Sequence, residues 1–347
     1  MRSGLWLAAL ALPLAAQVKV ERLFGPEVQT GRYKHPASIE RFDNGDLYVV
    51  YYTGEGEYAN ATSLYASRRK AGGAAWSAPK LVARDPFRSV GNGAAWQAPD
   101  GRVWLFYVIR FGADWPTSRS AAKVSDDRGE TWSDSSLITL EQGMMVRGRP
   151  IALSDGRYLL PAYFEKGERE FTTAETRSVF FEWAPQTKEW RLSGEIRSAK
   201  GNLQPAIAET APGRLVAFCR RAGGYGPVSD GYLIYSESRD NGRTWSPGVN
   251  SELKNPNSAV DLLKLRSGNL LLVFNDSMSD RTPLVAALSS DGGRTWPHRL
   301  TVAGGRGSFA YPSAVEAPGG VIHLVFTSDE RTVVRYATFT EADLLKR

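Results

Sequence analysis

The sequence has few of the residues that form disulfides or bind metals. Its 347 residues include one cysteine, Cys219, and three histidines. One cysteine cannot form a disulfide within the chain, and no His, Cys, Asp and Glu residues are grouped with metal-ligand spacing. We therefore expect no metal and no cofactor, and we interpret Cys219, in the apolar run LVAFC, as a small buried hydrophobic residue.

Long hydrophobic runs are absent after the first sixteen residues. Residues 1–16 combine Arg2, the apolar stretch LWLAALALPL and two alanines before Gln17. This pattern is typical of a secretory signal peptide cleaved near Ala16, and its apolar stretch is too short to span a bilayer. We predict a secreted or periplasmic protein with a mature domain over 17–347 and no membrane span; a retained N-terminal anchor is the alternative.

Charge of one sign is not concentrated anywhere. The formal net charge is +6, but the Lys and Arg residues are scattered along the chain. Scattered basic residues argue against a nucleic-acid partner, whereas a modest positive excess favours the attraction of anionic substrates. The sequence does not indicate an oligomeric state.

A glycine turn followed by an apolar strand occurs six times at nearly equal intervals. Two of the copies read NGDLYVV and SGNLLLV. Successive turn glycines are 56, 55, 57, 55 and 52 residues apart. The six glycines are Gly45, Gly101, Gly156, Gly213, Gly268 and Gly320. Such a period indicates a repeat architecture.

A second motif, S-x-D-x-G-x-T-W, which we call the box, runs in phase with these turns. It is intact at 125–132, 238–245 and 289–296, and degenerate copies end at Trp76 and Trp190. Its aspartate can accept backbone N–H groups of its own turn, and its glycine takes positive φ at little cost. We interpret the motif as structural; a calcium-binding or catalytic role for its aspartates is the alternative.

Each repeat contains four short strands with no helical spacing between them, which is typical of a propeller blade. Six repeats predict an all-β, six-bladed β-propeller. The sixth repeat has only three strands before the chain ends, so we expect the segment VKVERLF at 18–24 to supply its outer strand and close the ring. Only the tail TEADLLKR is expected to form a short helix.

The alternation of strand direction predicts where a ligand binds. The glycine turns and the box turns share one face of the ring, so the loops between second and third strands lie on the other. Loops on a rigid scaffold usually carry function, and the axial opening on that face is the expected ligand site. Residues expected near this opening are Lys34, His35, Asn92, Arg147, Arg149, Gln204, Asn257, Asp261, Tyr311, Glu55, Glu57, Arg110, Glu165, Arg220, Arg221 and Arg281. The many arginines favour a carboxylate ligand, which a guanidinium binds through two parallel hydrogen bonds.

The boxes and their spacing resemble the Asp boxes of the sialidase superfamily, in particular the BNR-repeat sialidase-like proteins. The resemblance extends over nearly all of the predicted mature domain. It includes the segments NPNSAVDLLKLRSGNLLLVFN (255–275), RTPLVAALSSDGGRTW (281–296) and FAYPSAVEAPGGVIHLVF (309–326). It implies a hydrolase that holds a sugar carboxylate with three arginines and uses a tyrosine nucleophile, a glutamate partner and an acidic proton donor.

The arginines of this chain match that outline in part. The resemblance assigns the second arginine to Arg220 or Arg221 and the third to Arg281. Where the first is expected the chain reads Lys-His-Pro, so Lys34 or His35 is the substitute. The predicted substrate-binding residues are Arg281, Arg221, Arg220, Arg149, Lys34, Gln204 and Asn257.

The nucleophile of the family corresponds to Tyr311. A tyrosine is a weak nucleophile unless a neighbouring group activates it. Gln204 lies in the segment where the family has its glutamate, so Asp261, Glu57 and Glu316 are the alternative carboxylate partners. Glu57, or Glu55 in the same loop, replaces the family's proton-donating aspartate.

His35 favours a second type of reaction. It begins the first inner strand, and a histidine can act as general acid or base near neutral pH. Together with Tyr311 it would support β-elimination from a uronic-acid polymer.

We therefore predict an exported, exo-acting glycoside hydrolase of this superfamily that acts on a carboxylate-bearing sugar, either sialic acid or a uronic-acid glycan. The alternatives are a polysaccharide lyase on uronic-acid glycans and a non-catalytic glycan-binding propeller. The predicted catalytic residues are Tyr311, Asp261, Glu57, Glu316 and His35.

Overall fold

Six antiparallel sheets and one short hairpin account for the strands of the described residues. The structure, a computed structural model, describes residues 18–168 and 171–346. The expected signal peptide lies outside the described residues. No helix in the described part of the chain is long and apolar enough to cross a membrane.

The sheets follow one another along the chain as blades one to six. The strands up to the end of blade three are β1 (Lys19–Phe24), β2 (Tyr33–Arg41), β3 (Leu47–Gly54), β4 (Ser63–Arg69), β5 (Lys80–Ala83), β6 (Ser89–Gln97), β7 (Val103–Arg110), β8 (Ser118–Ser125), β9 (Ser136–Leu137), β10 (Met144–Val146), β11 (Ile151–Ala152), β12 (Tyr158–Phe164), β13 (Gly167–Glu168), β14 (Phe171–Thr172), β15 (Arg177–Ala184) and β16 (Glu189–Ile196). A short 3₁₀ helix lies between β7 and β8 (Trp115–Thr117).

The remaining strands and the one α-helix of the described residues form blades four to six. They are β17 (Asn202–Ala211), β18 (Arg214–Arg221), β19 (Tyr232–Ser238), β20 (Val249–Lys254), β21 (Asp261–Lys264), β22 (Leu270–Asn275), β23 (Leu284–Ser289), β24 (His298–Ala303), β25 (Ala310–Glu316), β26 (Val321–Ser328), β27 (Val333–Thr340) and α1 (Glu341–Leu345). The sheet orders are β2-β3-β4-β5, β6-β7-β8-β9, β10-β12-β15-β16 with β11 also on β12, β17-β18-β19-β20, β21-β22-β23-β24 and β25-β26-β27-β1.

The first strand of the described chain closes the ring. Strand β1 pairs antiparallel with β27, with Lys19 opposite Thr338 and Phe24 opposite Val334. The sixth sheet is thus built from both ends of the chain. This confirms the predicted six-bladed propeller and the predicted role of 18–24.

The three intact boxes are tight turns held by their own side chains. In the first, Asp127 Oδ1 accepts hydrogen bonds from Ser125 Oγ at 2.7 Å and Thr131 N at 2.9 Å, and Oδ2 accepts one from Thr131 Oγ1 at 2.5 Å. Asp240 and Asp291 make the same bonds in blades four and five. Hydrogen bonds of this kind hold the pKa of Asp127 well below its ordinary value. The geometry agrees with the structural interpretation of the motif.

The box tryptophans join each blade to the one before it. Trp245 of blade four stacks on Phe180 of blade three with ring centres 4.5 Å apart. Trp296 of blade five meets Phe218 of blade four edge to face at 5.5 Å. Such aromatic pairs add stability beyond the apolar area that they bury. The repeat in the sequence is therefore also a repeat of inter-blade contacts.

Bulges interrupt the innermost strands near their first residues. The register shifts after Lys34 in β2, after Gly91 in β6, after Leu203 in β17 and after Ala310 in β25. Bulges redirect side chains and often lie beside functional sites. The non-glycine residues at or beside these shifts with positive φ are Asn92 (53°), Gln204 (51°) and Tyr311 (56°). Backbone in this region is strained for such residues.

Candidate active site

A polar cavity lies at the end of the axis where the inner strands begin. It is lined by the bulged inner strands and by loops between second and third strands, which is the face that the strand alternation predicts. The lining residues are His35, Pro36, Tyr52, Glu57, Asn92, Trp115, Tyr163, Glu165, Thr172, Gln204, Arg220, Tyr225 and Tyr311. A second hollow shares Glu57 and Tyr225 with it and adds Arg281 and Arg331.

Tyr311 is one of the residues that line this cavity. Its side chain is buried, and its hydroxyl oxygen receives hydrogen bonds from Arg220 Nη1 at 2.6 Å and Gln204 Nε2 at 3.4 Å. The Arg281 guanidinium lies 5.4 Å from the ring centre. Burial by itself raises the pKa of Tyr311, but the charges of the neighbouring arginines outweigh it and the pKa is lowered from 10.0. The site therefore favours the phenolate form of this tyrosine.

Arg281 brings an unused hydrogen-bond donor to the site. Its Nη2 donates to the carbonyl oxygen of Asn257 at 3.1 Å. Its Nη1 is buried and has no hydrogen-bond partner among the described residues. Burial, reinforced by the nearby charge of Arg331, lowers the pKa of Arg281 to about 10. A buried donor without an acceptor is costly, so the site favours an anionic acceptor at this position.

Arg331 reaches the site from the hairpin between β26 and β27. Its Nη1 donates to Tyr33 Oη at 3.3 Å and forms an ion pair with Glu57. The other oxygen of Glu57 accepts a hydrogen bond from Trp115 Nε1 at 3.2 Å. We did not predict Arg331 from the sequence, although its position was a usable signal. It lies in the second-to-third-strand loop of blade six, the same place in its blade that Arg281 has in blade five.

Glu165 and His35 also line the cavity. Burial raises the pKa of Glu165 to about 7, with Arg220 opposing the shift and Glu57 adding to it. His35 lies with its ring centre 4.3 Å from that of Tyr311, and its Nδ1 is 2.6 Å from Thr327 Oγ1. Burial and the surrounding arginines lower the pKa of His35 well below 6.5. The cavity thus holds a carboxyl that exchanges its proton near neutral pH and a neutral imidazole.

Two of the predicted carboxylate partners of Tyr311 do not line this cavity. Asp261 Oδ2 accepts the backbone N–H of Ala314 at 2.7 Å and lies 3.9 Å from Arg149 Nη2. Glu316 lines the opening at the opposite end of the axis, where it accepts the N–H of Arg266 at 2.7 Å. Glu316 ends strand β25 whereas Tyr311 lies near its beginning, so the strand separates the two along the axis.

Three of the predicted substrate-binding residues bind backbone carbonyl groups instead. Arg149 donates to Ile39 O at 3.0 Å and lines the opposite opening. Lys34 Nζ donates to Val28 O at 3.2 Å. Arg221 Nε donates to Asn255 O at 3.0 Å. Successive side chains of a strand point to opposite sides, which explains why Arg220 and His35 enter the cavity while Arg221 and Lys34 do not.

The six-bladed ring with arginines around a buried axial tyrosine defines a sialidase-like β-propeller. The sequence profile of the BNR repeat-like domain matches residues 45–324, and the chain belongs to that family. No curated protein sequence matches the chain.

Solved sialidase structures share this fold. The Hadza microbial sialidase Hz136 superposes with a TM-score of 0.77 at 18% identity, covering 91% of this chain and 67% of that one. The NanB sialidase from Streptococcus pneumoniae gives 0.76 at 14% identity, covering 93% and 71%. The intramolecular trans-sialidase from Ruminococcus gnavus, in complex with oseltamivir carboxylate, gives 0.74 at 15% identity, covering 93% and 97%. Identities this low establish a common fold, and function must be argued from the site.

Proposed function

We propose that the protein is an exported, exo-acting glycoside hydrolase that removes a carboxylate-bearing sugar, either a sialic acid or a uronic acid, from a glycan. One observation carries this proposal. Beside the buried Tyr311, the Nη1 donor of Arg281 is buried without a partner among the described residues. A sugar carboxylate would satisfy that donor and place the sugar ring against the tyrosine.

The carboxylate would be bound by Arg281 together with Arg331. Both belong to the hollow that opens onto the axial cavity. A guanidinium matches the planar carboxylate and binds it with two hydrogen bonds. Arg331 is paired with Glu57, so an incoming carboxylate would share this arginine with Glu57.

Tyr311 would be the nucleophile of the hydrolytic reaction. Its oxygen attacks the anomeric carbon, the glycosidic C–O bond breaks, and the departing oxygen takes a proton from a carboxylic acid. Water then attacks the anomeric carbon, releases the tyrosine and returns a proton to that acid. Covalent catalysis of this kind splits one difficult step into two easier ones.

Glu165 is the better supported proton donor of the two glutamates. Its pKa is raised to about 7 by burial, and a general acid works best when its pKa is near the working pH. Glu57, which occupies the loop where the family has its aspartate, is engaged with Arg331 and Trp115. We assign Glu57 to orienting Arg331 and Glu165 to donating the proton.

A second reaction, β-elimination from a uronic-acid glycan, is favoured by Gln204. An amide here leaves Tyr311 bonded to an arginine and an amide rather than to a carboxylate. As a base, Tyr311 would take the proton on the carbon next to the carboxylate, the glycosidic C–O bond would break, and a C=C bond would form. The departing oxygen would take its proton from Glu165. His35 would hold the ring of Tyr311 in place.

Turnover assays with the protein and two variants separate these reactions. We expect a fluorogenic α-sialoside or a uronic-acid oligosaccharide to be hydrolysed by the wild type, but not by Tyr311→Phe or Arg281→Ala. Formation of an unsaturated product, detected by its ultraviolet absorbance, would show that the reaction is elimination and not hydrolysis. Binding without turnover on every acidic glycan tested would leave a glycan-binding propeller and overturn the enzyme proposal.

Export is tested separately. We expect protein recovered from the periplasm or the medium to begin at Gln17. A chain that begins at its first residue, or that stays inside the cell, would contradict the proposed signal peptide.

A further inference from the structure

Arg220 has almost no hydrogen-bonding capacity left for a substrate. Its Nε donates to Asn257 Oδ1 at 2.5 Å, its Nη2 to Tyr225 Oη at 3.1 Å, and its Nη1 to both Gln204 Oε1 at 2.9 Å and Tyr311 Oη at 2.6 Å. A guanidinium has five N–H donors, so four are engaged within the protein. A two-bond clamp on a carboxylate would have to break some of them.

The orientation of Gln204 follows from Arg220. Arginine donates hydrogen bonds and cannot accept them, so the amide oxygen of Gln204 faces Arg220 and its amide nitrogen faces the tyrosines. That nitrogen is 3.4 Å from Tyr311 Oη and 3.3 Å from Tyr163 Oη. The oxygen of Tyr311 is thus approached by two donors. Donors aimed at the charged form of a group stabilise that form.

Positive charge surrounds Tyr311 from several blades. Arg147 of blade three lies 5.3 Å from the ring centre, Arg281 of blade five 5.4 Å and Arg220 of blade four 5.9 Å. Arg331 of blade six also lowers the pKa of Tyr311, while Glu57 of blade one opposes it. Other titratable neighbours are His35, in ring contact with Tyr311, and Tyr163, which shares Gln204 with it. Glu165 and Tyr225 line the same cavity. Of these groups, only Arg220 bonds the phenolic oxygen directly.

We propose that Arg220 is a positioning residue that holds Tyr311 as the reactive phenolate, taking the place of a carboxylate base, and that it is not a clamp for the substrate. This rests on the proposed function only in taking Tyr311 as the reacting group. The substrate carboxylate is then left to Arg281 and Arg331. If Arg220 keeps Tyr311 ionised, the tyrosine needs no neighbouring base to take its proton. This explains why an amide, Gln204, can occupy the position of the carboxylate.

The ionisation of Tyr311 can be measured without any substrate. The ultraviolet difference spectrum between the wild type and Tyr311→Phe, titrated with base, isolates this tyrosine from the others. We expect the absorbance change of Tyr311, which we call its step, to have its midpoint below pH 10, because the ordinary pKa of tyrosine is about 10. In an Arg220→Met background, with and without Tyr311→Phe, we expect the step to move up by about 1–3 pH units, the usual effect of one adjacent opposite charge.

Two further variants keep the test decisive. Arg221→Met is the matched control, because the neighbouring arginine bonds backbone carbonyls away from the cavity; it should leave the step unmoved. Arg220→Lys keeps the charge but loses the planar set of N–H donors, so it should give a smaller upward shift. It replaces Arg220→Met in the test if that variant does not fold. A wild-type step at or above pH 10, or a step that Arg220→Met and Arg220→Lys do not move, would overturn the proposal.

Activity then separates this inference from the proposed function. If Arg220→Met raises the pH at which Tyr311 ionises but no glycan is cleaved, the role of Arg220 is supported and only the proposed enzyme function is overturned. If glycans are cleaved but the step does not move, the role of Arg220 fails alone. If both hold, kcat/KM of Arg220→Met should recover as the pH is raised, because more Tyr311 then loses its proton unaided. This is measured on an activated aryl glycoside, whose leaving group needs no proton from Glu165.

Discussion

The two faces of the propeller satisfy their polar side chains in different ways. We call the face with the box turns the box face and the face with the axial cavity the cavity face. On the box face, Asp127 is bonded by Ser125, Glu130 and Thr131, all within four residues of it. On the cavity face, Tyr311 is bonded by Arg220 and Gln204, which are 91 and 107 residues away in the chain. Arg281 keeps a buried donor with no partner in the described part of the protein. The carboxylate of Asp127 is satisfied by its own turn, whereas the hydrogen bonds of Tyr311 come from a distant part of the chain and Arg281 keeps an unpaired donor.

The difference separates stability from function. A turn whose carboxylate is fully hydrogen-bonded has nothing to offer a ligand, so its aspartate contributes to folding. A buried cationic cluster with a free donor is costly to fold, and it persists where the surrounding sheets hold it in place. The comparison predicts that changes on the cavity face alter turnover with little effect on stability, and that changes on the box face do the reverse.

The largest effect is expected from Tyr311→Phe. The substitution removes the reacting oxygen and keeps the ring that packs against His35. We expect kcat to fall by a factor on the order of 10³ or more, as for other nucleophile deletions, with the melting temperature nearly unchanged. Steady-state kinetics and thermal unfolding check both parts. Full activity of the variant would remove Tyr311 from the reaction.

Arg281→Ala should have the next largest effect. Loss of a buried partner of a charged group costs about 2–5 kcal/mol, so we expect kcat/KM for an acidic sugar to fall about 10²-fold or more. Arg281→Lys should recover part of this loss, because lysine keeps the charge without the planar fork. Equal activity of the alanine variant and the wild type would place the carboxylate elsewhere.

Glu165→Gln tests the proton donor. We expect kcat on a natural glycan to fall by about 10²-fold, with a much smaller loss on an activated aryl glycoside whose leaving group needs no proton. With its pKa raised to about 7, Glu165 keeps its proton below pH 7 and loses it above. The wild-type rate on natural glycans should therefore decline as the pH rises through 7. A pH profile without that decline would contradict the assignment.

Asp127→Ala probes the box face. We expect a lower melting temperature and an unchanged kcat/KM. The pKa of Asp127 is depressed in the folded protein by bonds to its own turn, so its contribution to stability is full above the ordinary aspartate value of about 4 and is lost as the pH falls below it. The difference in melting temperature from wild type should shrink at lower pH. Asp126→Ala, at an exposed neighbour paired with Arg102, is the control and should change little.

The smallest effect is expected from Glu316→Gln at the opposite end of the axis. Its carboxylate bonds the backbone of Arg266, so we expect kcat/KM within about twofold of the wild type. A large loss of activity would show that the opposite opening takes part in the reaction.

The blades and the boxes could be predicted from the sequence because their contacts are local and repeated. The glycine turns mark each second strand, and the count of strands required 18–24 to close the ring. The cavity could be predicted only in part. Because strand side chains alternate, only one of Arg220 and Arg221 can point into the cavity. The sequence does not show which one, because bulges shift the alternation. Arg331 reads as one more surface charge until the ring brings its hairpin beside Glu57.

The central claim is that the cavity face binds the carboxylate of a sugar. It is tested most directly by calorimetric titration of the inactive Tyr311→Phe variant with an acidic sugar, N-acetylneuraminic or glucuronic acid, and with the methyl ester of the same sugar. We predict that the acid binds, that its ester binds at least tenfold more weakly, and that a further Arg281→Ala substitution removes this preference. Equal binding of acid and ester, or a preference that survives the loss of Arg281, would contradict the account.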